Sequence, residues 1–314
     1  MAAPQPAPVR LAHLSDIHVT TRRLSWRRED WLNKRLAAWM NLRLLGRGFR
    51  FRNAERVMAA LRHDLLARRP DHVLFSGDAS AMGFEEEIGR AAALLPLTEL
   101  AGLAVPGNHD YCTRTAMHSG VFERHFAAWQ TGERVGDAIY PFAQRVGPLW
   151  LVAVNSATAN RWAWDARGEV GAAQLDRLDR LLGRLPPGPR ILVTHYPVAL
   201  SDGRPERAVR GLRDLTPLLA IANRGGVGLW LHGHRHDLYY LPRNELVPFP
   251  VLCAGSTTQT GHWSYFEYSI TGDRLTALQR VYEPADDGFR DGPTMEVELG
   301  WAPVGSDGGK NEPA

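Results

Sequence analysis

Short apolar runs ending in Gly, Asn, Asp or Ser punctuate the chain as far as about position 235, with amphipathic stretches between them. The runs at 9–15, 72–77, 103–107, 149–156, 191–195 and 227–232 lack sustained polar alternation, so they read as strands covered on both faces. Between the first two, Val57, Met58, Leu61 and Leu65 fall on one face of a helix expected over 53–69, with Asn53 as its N-cap. Further helices are expected at 84–95, 116–130 and 174–185, and a weaker pattern at 207–223 is interrupted by Pro217. After Pro242 the pattern turns to strands at 247–255, 265–270 and 274–281, the last two forming a hairpin around Thr271-Gly272-Asp273. Strand–helix alternation followed by mostly strands predicts an α/β fold of two packed sheets with helices outside. No repeat and no interior linker divides the chain, so 9–284 reads as one domain. Residues 285–314, rich in Gly, Pro and acids, read as a mobile tail.

Composition changes this picture little. The 314 residues are 44% hydrophobic and 23% charged, as in ordinary soluble globular proteins. No run approaches the ~18 apolar residues of a membrane span. The first ten residues hold three prolines and no apolar core segment, which argues against a secretory signal. Cys112 and Cys253 cannot make a disulfide framework, and a reducing cytoplasm is the expected compartment.

Charge changes the picture more. The net value of +3 averages two opposed segments. Residues 20–52 carry ten Lys or Arg against only Glu29 and Asp30, and residues 285–314 carry seven acids against Arg290 and Lys310. Lysine occurs only at Lys34 and Lys310, so the excess is arginine, which by itself does not imply phosphate binding.

The candidate chemistry collects where the expected strands end. Asp16 and His18 follow the first strand, Gly77-Asp78 the second and Gly107-Asn108-His109-Asp110 the third. His195 closes Ile-Leu-Val-Thr-His, and His234 and His236 follow a later strand in Gly-His-Arg-His. Carboxyl ends of strands in α/β sheets are where sites form. Asp16, His18, Asp78, Asn108, His195, His234 and His236 together supply three carboxylate or amide groups and four imidazoles. With no thiolate among them, a structural zinc site or an iron–sulfur cluster is disfavoured, and manganese, iron or zinc is suited. Seven ligands exceed the needs of one four-coordinate ion, whereas two ions sharing a carboxylate can hold a hydroxide and clamp a phosphoryl oxygen. Gly77, Gly107 and Gly233 beside the ligands permit tight turns and close approach of a phosphate.

The series Asp16-x-His18, Gly77-Asp78, Gly107-Asn108-His109-Asp110, His195 and Gly233-His234-x-His236 resembles the calcineurin-like metallophosphoesterase superfamily over about 11–237. The resemblance implies a four-layer α/β/β/α sandwich of two mixed β-sheets flanked by helices, and two divalent metal ions, Mn, Fe or Zn. It implies that Asp16, His18, Asp78 and His236 hold one ion, and that a bridging Asp78, Asn108, His195 and His234 hold the other. His109 would serve as general acid or transition-state stabiliser, with Asp110 orienting it. The implied activity is that of a metal-dependent phosphoric ester hydrolase, by attack of a metal-bound hydroxide.

Within that superfamily the motif set resembles bacterial cyclic-nucleotide phosphodiesterases. It is less similar to protein Ser/Thr phosphatases, because Gly77-Asp78 continues as Ala-Ser-Ala-Met, and to UDP-diacylglucosamine hydrolases, where Arg commonly stands at the position of His109. The expected substrate is a phosphodiester or monoester of a small phosphorylated metabolite such as a cyclic nucleotide. The alternatives are a lipid or lipid-linked substrate at the membrane surface, a nuclease activity, or a non-catalytic metal-bound binding module.

The other singled-out residues have plainer readings. His13 and His232 read as packed strand histidines, His63, His72, His118, His125 and His262 as structural or exposed, and Cys112 as a buried inert thiol. Tyr111, Arg114 and Arg235 flank the motifs, and Asn155 and Ser156 end a strand near the same edge, so all five are considered for phosphate contact. The basic segment 20–52 reads as a helical insertion at the site's rim, with Trp31, Leu32, Leu36, Trp39 and Met40 on one face and Arg35 intruding. A helix packed over the sheet explains it, with its Trp rings, including Trp26, in the core. An interfacial helix on anionic lipid, peripheral on the inner membrane surface, is the next reading. Single-stranded nucleic acid and a dimer contact stand behind both.

Overall fold

Apolar runs without polar alternation need cover on both faces, and the chain supplies it by stacking two sheets between layers of helices. The computed structural model describes residues 7–162 and 164–301. Its strands are β1 (Val9–Leu14), β2 (His72–Phe75), β3 (Gly102–Ala104), β4 (Glu133–Arg134), β5 (Phe142–Val146), β6 (Leu149–Ala153), β7 (Arg190–Val193), β8 (Val227–His232), β9 (Leu238–Leu241), β10 (Val251–Ala254), β11 (Ser264–Thr271), β12 (Arg274–Glu283) and β13 (Gly288–Glu298). The helices are α1 (Lys34–Arg43), α2 (Arg47–Arg50), α3 (Ala54–Arg68), α4 (Glu85–Leu94), α5 (Arg114–His118), α6 (Val121–His125), α7 (Ala172–Arg184) and α8 (Leu215–Arg224). Among the described residues no helix is long and apolar enough to cross a membrane.

One sheet runs β13-β12-β11-β1-β2-β3 and the other β4-β5-β6-β7-β8-β10-β9. Both are mixed. β1, β2 and β3 are parallel while β1 meets β11 antiparallel. β6, β7, β8 and β10 are parallel and the remaining pairs antiparallel. Side-chain alternation assigns the layers. Leu11, Leu74 and Leu103 meet Leu151, Ile191, Leu229 and Leu252 between the sheets. Their neighbours Ala12, Val73, Phe75 and Ala104 turn outward onto Met58, Leu61 and Leu65 of α3 and Ile88 of α4. On the far side Val152, Leu192 and Trp230 pack on Leu178 and Leu182 of α7 and Leu218 of α8.

The register aligns strand ends that carry the motifs. Leu14 stands beside Phe75, and Phe75 beside Ala104, so the loops after β1, β2 and β3 leave side by side. Val193 stands beside Leu231, and His232 beside Cys253, which does the same for the loops after β7 and β8.

Four expectations change. The segment expected as one helix over 116–130 is α5, α6 and a 3-10 turn at Ala127–Trp129, broken at Gly120, whose φ is +63°. The 207–223 pattern becomes helical only from Leu215, which puts Pro217 in the first turn, where its missing N–H has no intrahelical partner to lose. The 247–255 strand shortens to β10. The expected tail contains a strand, β13, over Gly288–Glu298. β13 pairs antiparallel with β12, Val297 enters the core between the sheets, and Asp287 pairs with Arg56 at 2.9 Å. Its acids face water along a sheet edge, a position that tolerates charge, so composition alone misread it. Residues 302–314 lie outside the described residues. The hairpin forms as expected, with Thr271 opposite Arg274.

Candidate metal centre

Five of the seven candidate ligands have an unusual backbone. Asp16, His18, Asp78, His234 and His236 all have φ between 42° and 69°, a left-handed region otherwise entered by only Arg69 and Asp287 among described non-glycine residues. Such conformations cost energy and persist where the surroundings enforce them. Here the loops turn sharply off the strand ends and aim consecutive side chains into one space.

Glycine is required where the loops touch. A Cβ on Gly107 would overlap Asp78 Oδ1, and one on Gly233 would overlap Ser15 Oγ and lie 2.6 Å from Asp16 Oδ2. The expectation that these glycines admit a phosphate is thus corrected: Gly107 and Gly233 admit the Asp78 and Asp16 carboxylates, and Gly77 admits the Gly107 backbone and the His195 ring.

The donor atoms form two nests. In one, His236 Nε2 is 3.2 Å from Asp16 Oδ1, and His18 Nε2 is 3.2 Å from His236 Nε2 and 3.6 Å from Asp78 Oδ2. In the other, His195 Nε2 is 3.4 Å from Asp78 Oδ2 and 3.2 Å from Asn108 Oδ1, which lies 2.9 Å from His234 Nδ1. Asp78 Oδ2 is common to both, the position of a bridging ligand.

Hydrogen bonds on the far side of three of the four rings fix what faces inward. His195 Nδ1 donates to the Ser76 carbonyl at 2.7 Å, His18 Nδ1 to the Ser80 carbonyl at 3.3 Å and His236 Nδ1 to Gln259 Oε1 at 2.6 Å. Each bond leaves Nε2 facing the centre, where the His18 and His236 Nε2 atoms meet each other and His195 Nε2 meets two oxygens, so a proton or a cation has to lie between them. The carboxylates behave alike. Asp16 Oδ2 accepts from Ser15 Oγ and the His234 N–H, while its buried Oδ1 has no hydrogen-bond partner. Asp78 Oδ1 accepts from the His109 N–H at 2.8 Å and leaves Oδ2 to the centre.

Charge points the same way. Burial opposes ionisation of Asp16 and Asp78, but the facing imidazoles, His236 first for Asp16 and His195 first for Asp78, hold both below the usual carboxylate range. Burial and then the Arg47 guanidinium hold His18 down at about 4, and burial keeps His234 well below its ordinary value. At His195 burial is outweighed by the Asp78 carboxylate, which holds it up at about 9. Two buried carboxylates converge on one space in which the His18 and His234 rings are held neutral, so further positive charge is called for, and the donor set fits two divalent ions.

His109 lies beside the nests. Its ring stands edge-on to His18 at 4.7 Å, and its Nδ1 donates to the Ala81 carbonyl at 2.7 Å. The expected orienting role of Asp110 is therefore corrected. The Ala81 carbonyl holds the ring, while Asp110 accepts from the N–H groups of Ala79, Ser80 and Gly107 and from Ser80 Oγ, clipping the Asp78 and Asn108 loops together. Burial and then the Asp78 charge push Asp110 up to about 7.

The other candidates separate. Tyr111 is buried with its hydroxyl on Glu123, and Arg114 is exposed on α5. Ser156 Oγ accepts from the His195 and Tyr196 N–H groups, and the Asn155 N–H donates to Gln174. His232 is buried between the Gly233 carbonyl and Tyr239, and His13 between Tyr268 and Ser76, as packed strand histidines. Burial pushes the Cys112 thiol up to about 11, an inert state. Arg235 lines the cavity over the nests, bound to Glu206 at 2.6 Å.

That cavity, of about 470 Å³, also contains residues the motifs did not single out. Arg47, Arg50 and Phe51 enter it from the basic segment. An Arg47 guanidinium nitrogen is 3.3 Å from His18 Nε2, and the Phe51 ring packs 4.6 Å from that of His18. Their signal in the sequence was only the charge excess of the segment as a whole.

A family model for calcineurin-like phosphoesterases matches residues 9–238. A probable cyclic nucleotide phosphodiesterase from Synechococcus sp. is 29% identical over 183 residues, a match covering 58% of this chain and 64% of that protein. In fold, the chain is similar to a dimetal phosphatase from Danio rerio, at a TM-score of 0.62 and 14% identity over 93% of this chain and 99% of that one. It is also similar to a purple acid phosphatase from yellow lupin (Lupinus luteus) seeds, at a TM-score of 0.59 and 12% identity over 94% and 54%.

Proposed function

The chain belongs to the calcineurin-like phosphoesterase family, and from that membership we propose that it is a dinuclear-metal phosphoesterase acting on a phosphodiester, or a monoester, of a small phosphorylated metabolite such as a cyclic nucleotide. The observation that carries this is the pair of nests sharing Asp78 Oδ2, with the buried Asp16 Oδ1 left unbonded. Asp16, His18, Asp78 and His236 would hold one ion, and Asp78, Asn108, His195 and His234 the other. Mixed imidazole and carboxylate donors suit manganese, iron or zinc. When bound, the ions would supply Lewis acidity and an activated water.

The chain's own side chains do the rest. Arg47, beside His18 in the cavity, receives a phosphate oxygen and fixes the ester over the nests. His109 is turned to the same space by its bond to the Ala81 carbonyl, and it gives a proton or a hydrogen bond to the departing oxygen. Burial and then Arg47 hold His109 well below its ordinary value. A phosphate on Arg47 offsets that charge and favours the protonated ring when it is needed. The relative named as a probable cyclic nucleotide phosphodiesterase supports the substrate class. The free buried Cys112 and Cys253 support a reducing, cytoplasmic compartment.

Chain reconstituted with Mn²⁺, Fe²⁺ or Zn²⁺ would be assayed against cyclic nucleotides, nucleoside diphosphate conjugates, phospholipids and single-stranded DNA. Metal-dependent turnover of a cyclic nucleotide, lost in Asp78→Ala and reduced in His109→Ala, is expected. No turnover with any metal, or undiminished turnover in Asp78→Ala, would overturn the assignment.

A further inference from the structure

The surface around the cavity is uneven in a way that catalysis does not require. Of the ten large hydrophobic side chains exposed among the described residues, six lie between positions 31 and 49: Trp31, Leu32, Met40, Leu44, Leu45 and Phe49. Leu32 is 91% exposed, Leu45 76% and Phe49 72%. Two more, Trp162 and Trp164, stack 5.0 Å apart on the loop between β6 and α7. The Lys34 ammonium ties that loop to α1 through the Asp165 carbonyl at 2.7 Å.

The packing of the segment also departs from the expected one. The chain leaves a 3-10 turn at Arg28–Leu32 and enters α1, so the continuous face expected from Trp31 to Met40 does not form. Arg35, expected to intrude on an apolar face, is buried, as is Leu42. Arg35 pairs with Asp30 at 2.8 Å and lies over the Phe84 ring, while Met40 and Leu44 face water. Trp39 and Trp26 pack partly into a small cluster with Leu42 and Phe84, whereas Trp31 is half exposed. Six large apolar side chains left exposed within one short segment are covered only by a second apolar phase.

Charge identifies that phase. Of the nine arginines between 20 and 52, only Arg35 has a carboxylate within 4.0 Å among the described residues. Exposed arginines without a carboxylate partner alternate closely with the exposed apolar residues: Arg43 precedes Leu44 and Leu45, and Arg50 follows Phe49. A bilayer interface offers both phases at the depth of one side chain, acyl chains for Leu and Phe and phosphate for Arg. Stacking of Trp26 on Trp31 and of Trp162 on Trp164 takes up one face of each ring, which leaves fewer platforms for the bases of a single strand.

We propose that the segment 20–52, with the Trp162–Trp164 loop, docks the protein on an anionic phospholipid bilayer. Leu45, Arg47 and Arg50 belong to both the segment and the cavity lining, so docking turns the mouth of the cavity to the lipid surface. Phosphate esters carried by amphiphiles then reach the nests directly from the membrane. This goes beyond the catalytic reading and does not depend on it.

The test is sedimentation with vesicles of phosphatidylcholine alone and of phosphatidylcholine with phosphatidylglycerol, at about 0.05 M and about 0.5 M salt. Turnover of a soluble aryl phosphodiester is measured in parallel. The full chain is expected to bind the anionic vesicles at least about tenfold better than the neutral ones, and less well at high salt. Leu32→Asp with Leu44→Asp, both at exposed positions, should lose about tenfold or more of that binding. Arg23→Glu with Arg28→Glu should abolish the preference for anionic lipid. All four substitutions should leave turnover of the soluble ester at its wild-type rate. Three results would each overturn the docking proposal while leaving the catalytic reading standing: equal binding to both vesicle types, binding of single-stranded DNA in place of vesicles, or a dimer that Leu44→Asp dissociates without any vesicle binding. Vesicle binding without turnover would do the reverse.

Discussion

Asp110→Asn separates a loop clip from a catalytic orienter. The Asp110 oxygens face four donors: Oδ1 takes the Ser80 N–H and Oγ, both at 2.9 Å, and Oδ2 takes the Ala79 and Gly107 N–H groups at 3.2 and 2.9 Å. Asparagine keeps one oxygen and replaces the other with an NH₂. If the NH₂ faces Ala79 and Gly107, two buried N–H groups are stranded. If it faces Ser80, the hydroxyl can turn to accept from it and only the Ser80 N–H is stranded. The second arrangement costs less, and one stranded buried donor costs about 1–3 kcal/mol. Each kcal/mol lowers the melting temperature of a domain somewhat smaller than this one by about 2–4 °C, so a fall of roughly 2–12 °C is expected. The clip joins the loops that carry Asp78 and Asn108, so metal content should fall with stability. The kcat per metal-loaded molecule should stay within an order of magnitude of wild type, because Ala81 still holds His109. Calorimetry, metal analysis of the purified variant and turnover normalised to bound metal decide the matter. A variant with wild-type melting temperature and metal content that has lost kcat as far as His109→Ala would refute the reasoning and restore Asp110 as the orienter.

Arg47→Ala should lower kcat/KM by about 10- to 150-fold at unchanged metal content, the effect of losing one charge-assisted hydrogen bond to phosphate, and Arg47→Lys should restore little of it. Steady-state kinetics beside metal analysis check both, and wild-type kinetics in Arg47→Ala would remove the residue from the site. In Gly107→Ala the new methyl overlaps Asp78 Oδ1, so bound metal and activity should be lost together, alongside about 1–3 kcal/mol of stability; retained metal would show that the carboxylate can shift without penalty. Burial raises Glu87 from 4.5 to about 7, so its protonated form adds stability in full below about pH 4.5, and this is lost as pH rises through 7. The whole effect is about 3 kcal/mol. Glu87→Gln, neutral throughout, should flatten the pH dependence of the urea midpoint between pH 5 and 8, and parallel curves for the two proteins would exclude it.

The seven candidate ligands were legible because each follows an apolar run that could only be a buried strand, and loops after such strands share one edge. Their supports were not legible. The Ser76, Ser80 and Ala81 groups that fix the imidazoles are backbone carbonyls, which any residue would supply. Gln259, which orients His236, lies beyond the last motif in a loop without pattern. Asp110 was found by its place in Gly-Asn-His-Asp, yet its role depends on which way the chain turns after Gly107. The β13 edge was hidden because exposed strand acids and tail acids look alike in composition. Arg35 and Arg47 have the same side chain in the same basic segment, and only the packing sends one to Asp30 and the other to the cavity.

The left-handed backbone at Asp16, His18, Asp78, His234 and His236 restricts what the centre can become. Short polar residues such as Asp and Asn, and to a lesser degree His, tolerate that conformation, and branched or bulky side chains do not. These five places therefore draw on a very small alphabet, whichever metal is used. Asn108 and His195 lie outside that left-handed set. Both belong to the second nest, so drift toward a different metal has an open route there and a closed one in the first. Descendants of this chain should diversify their metal chemistry one ion at a time.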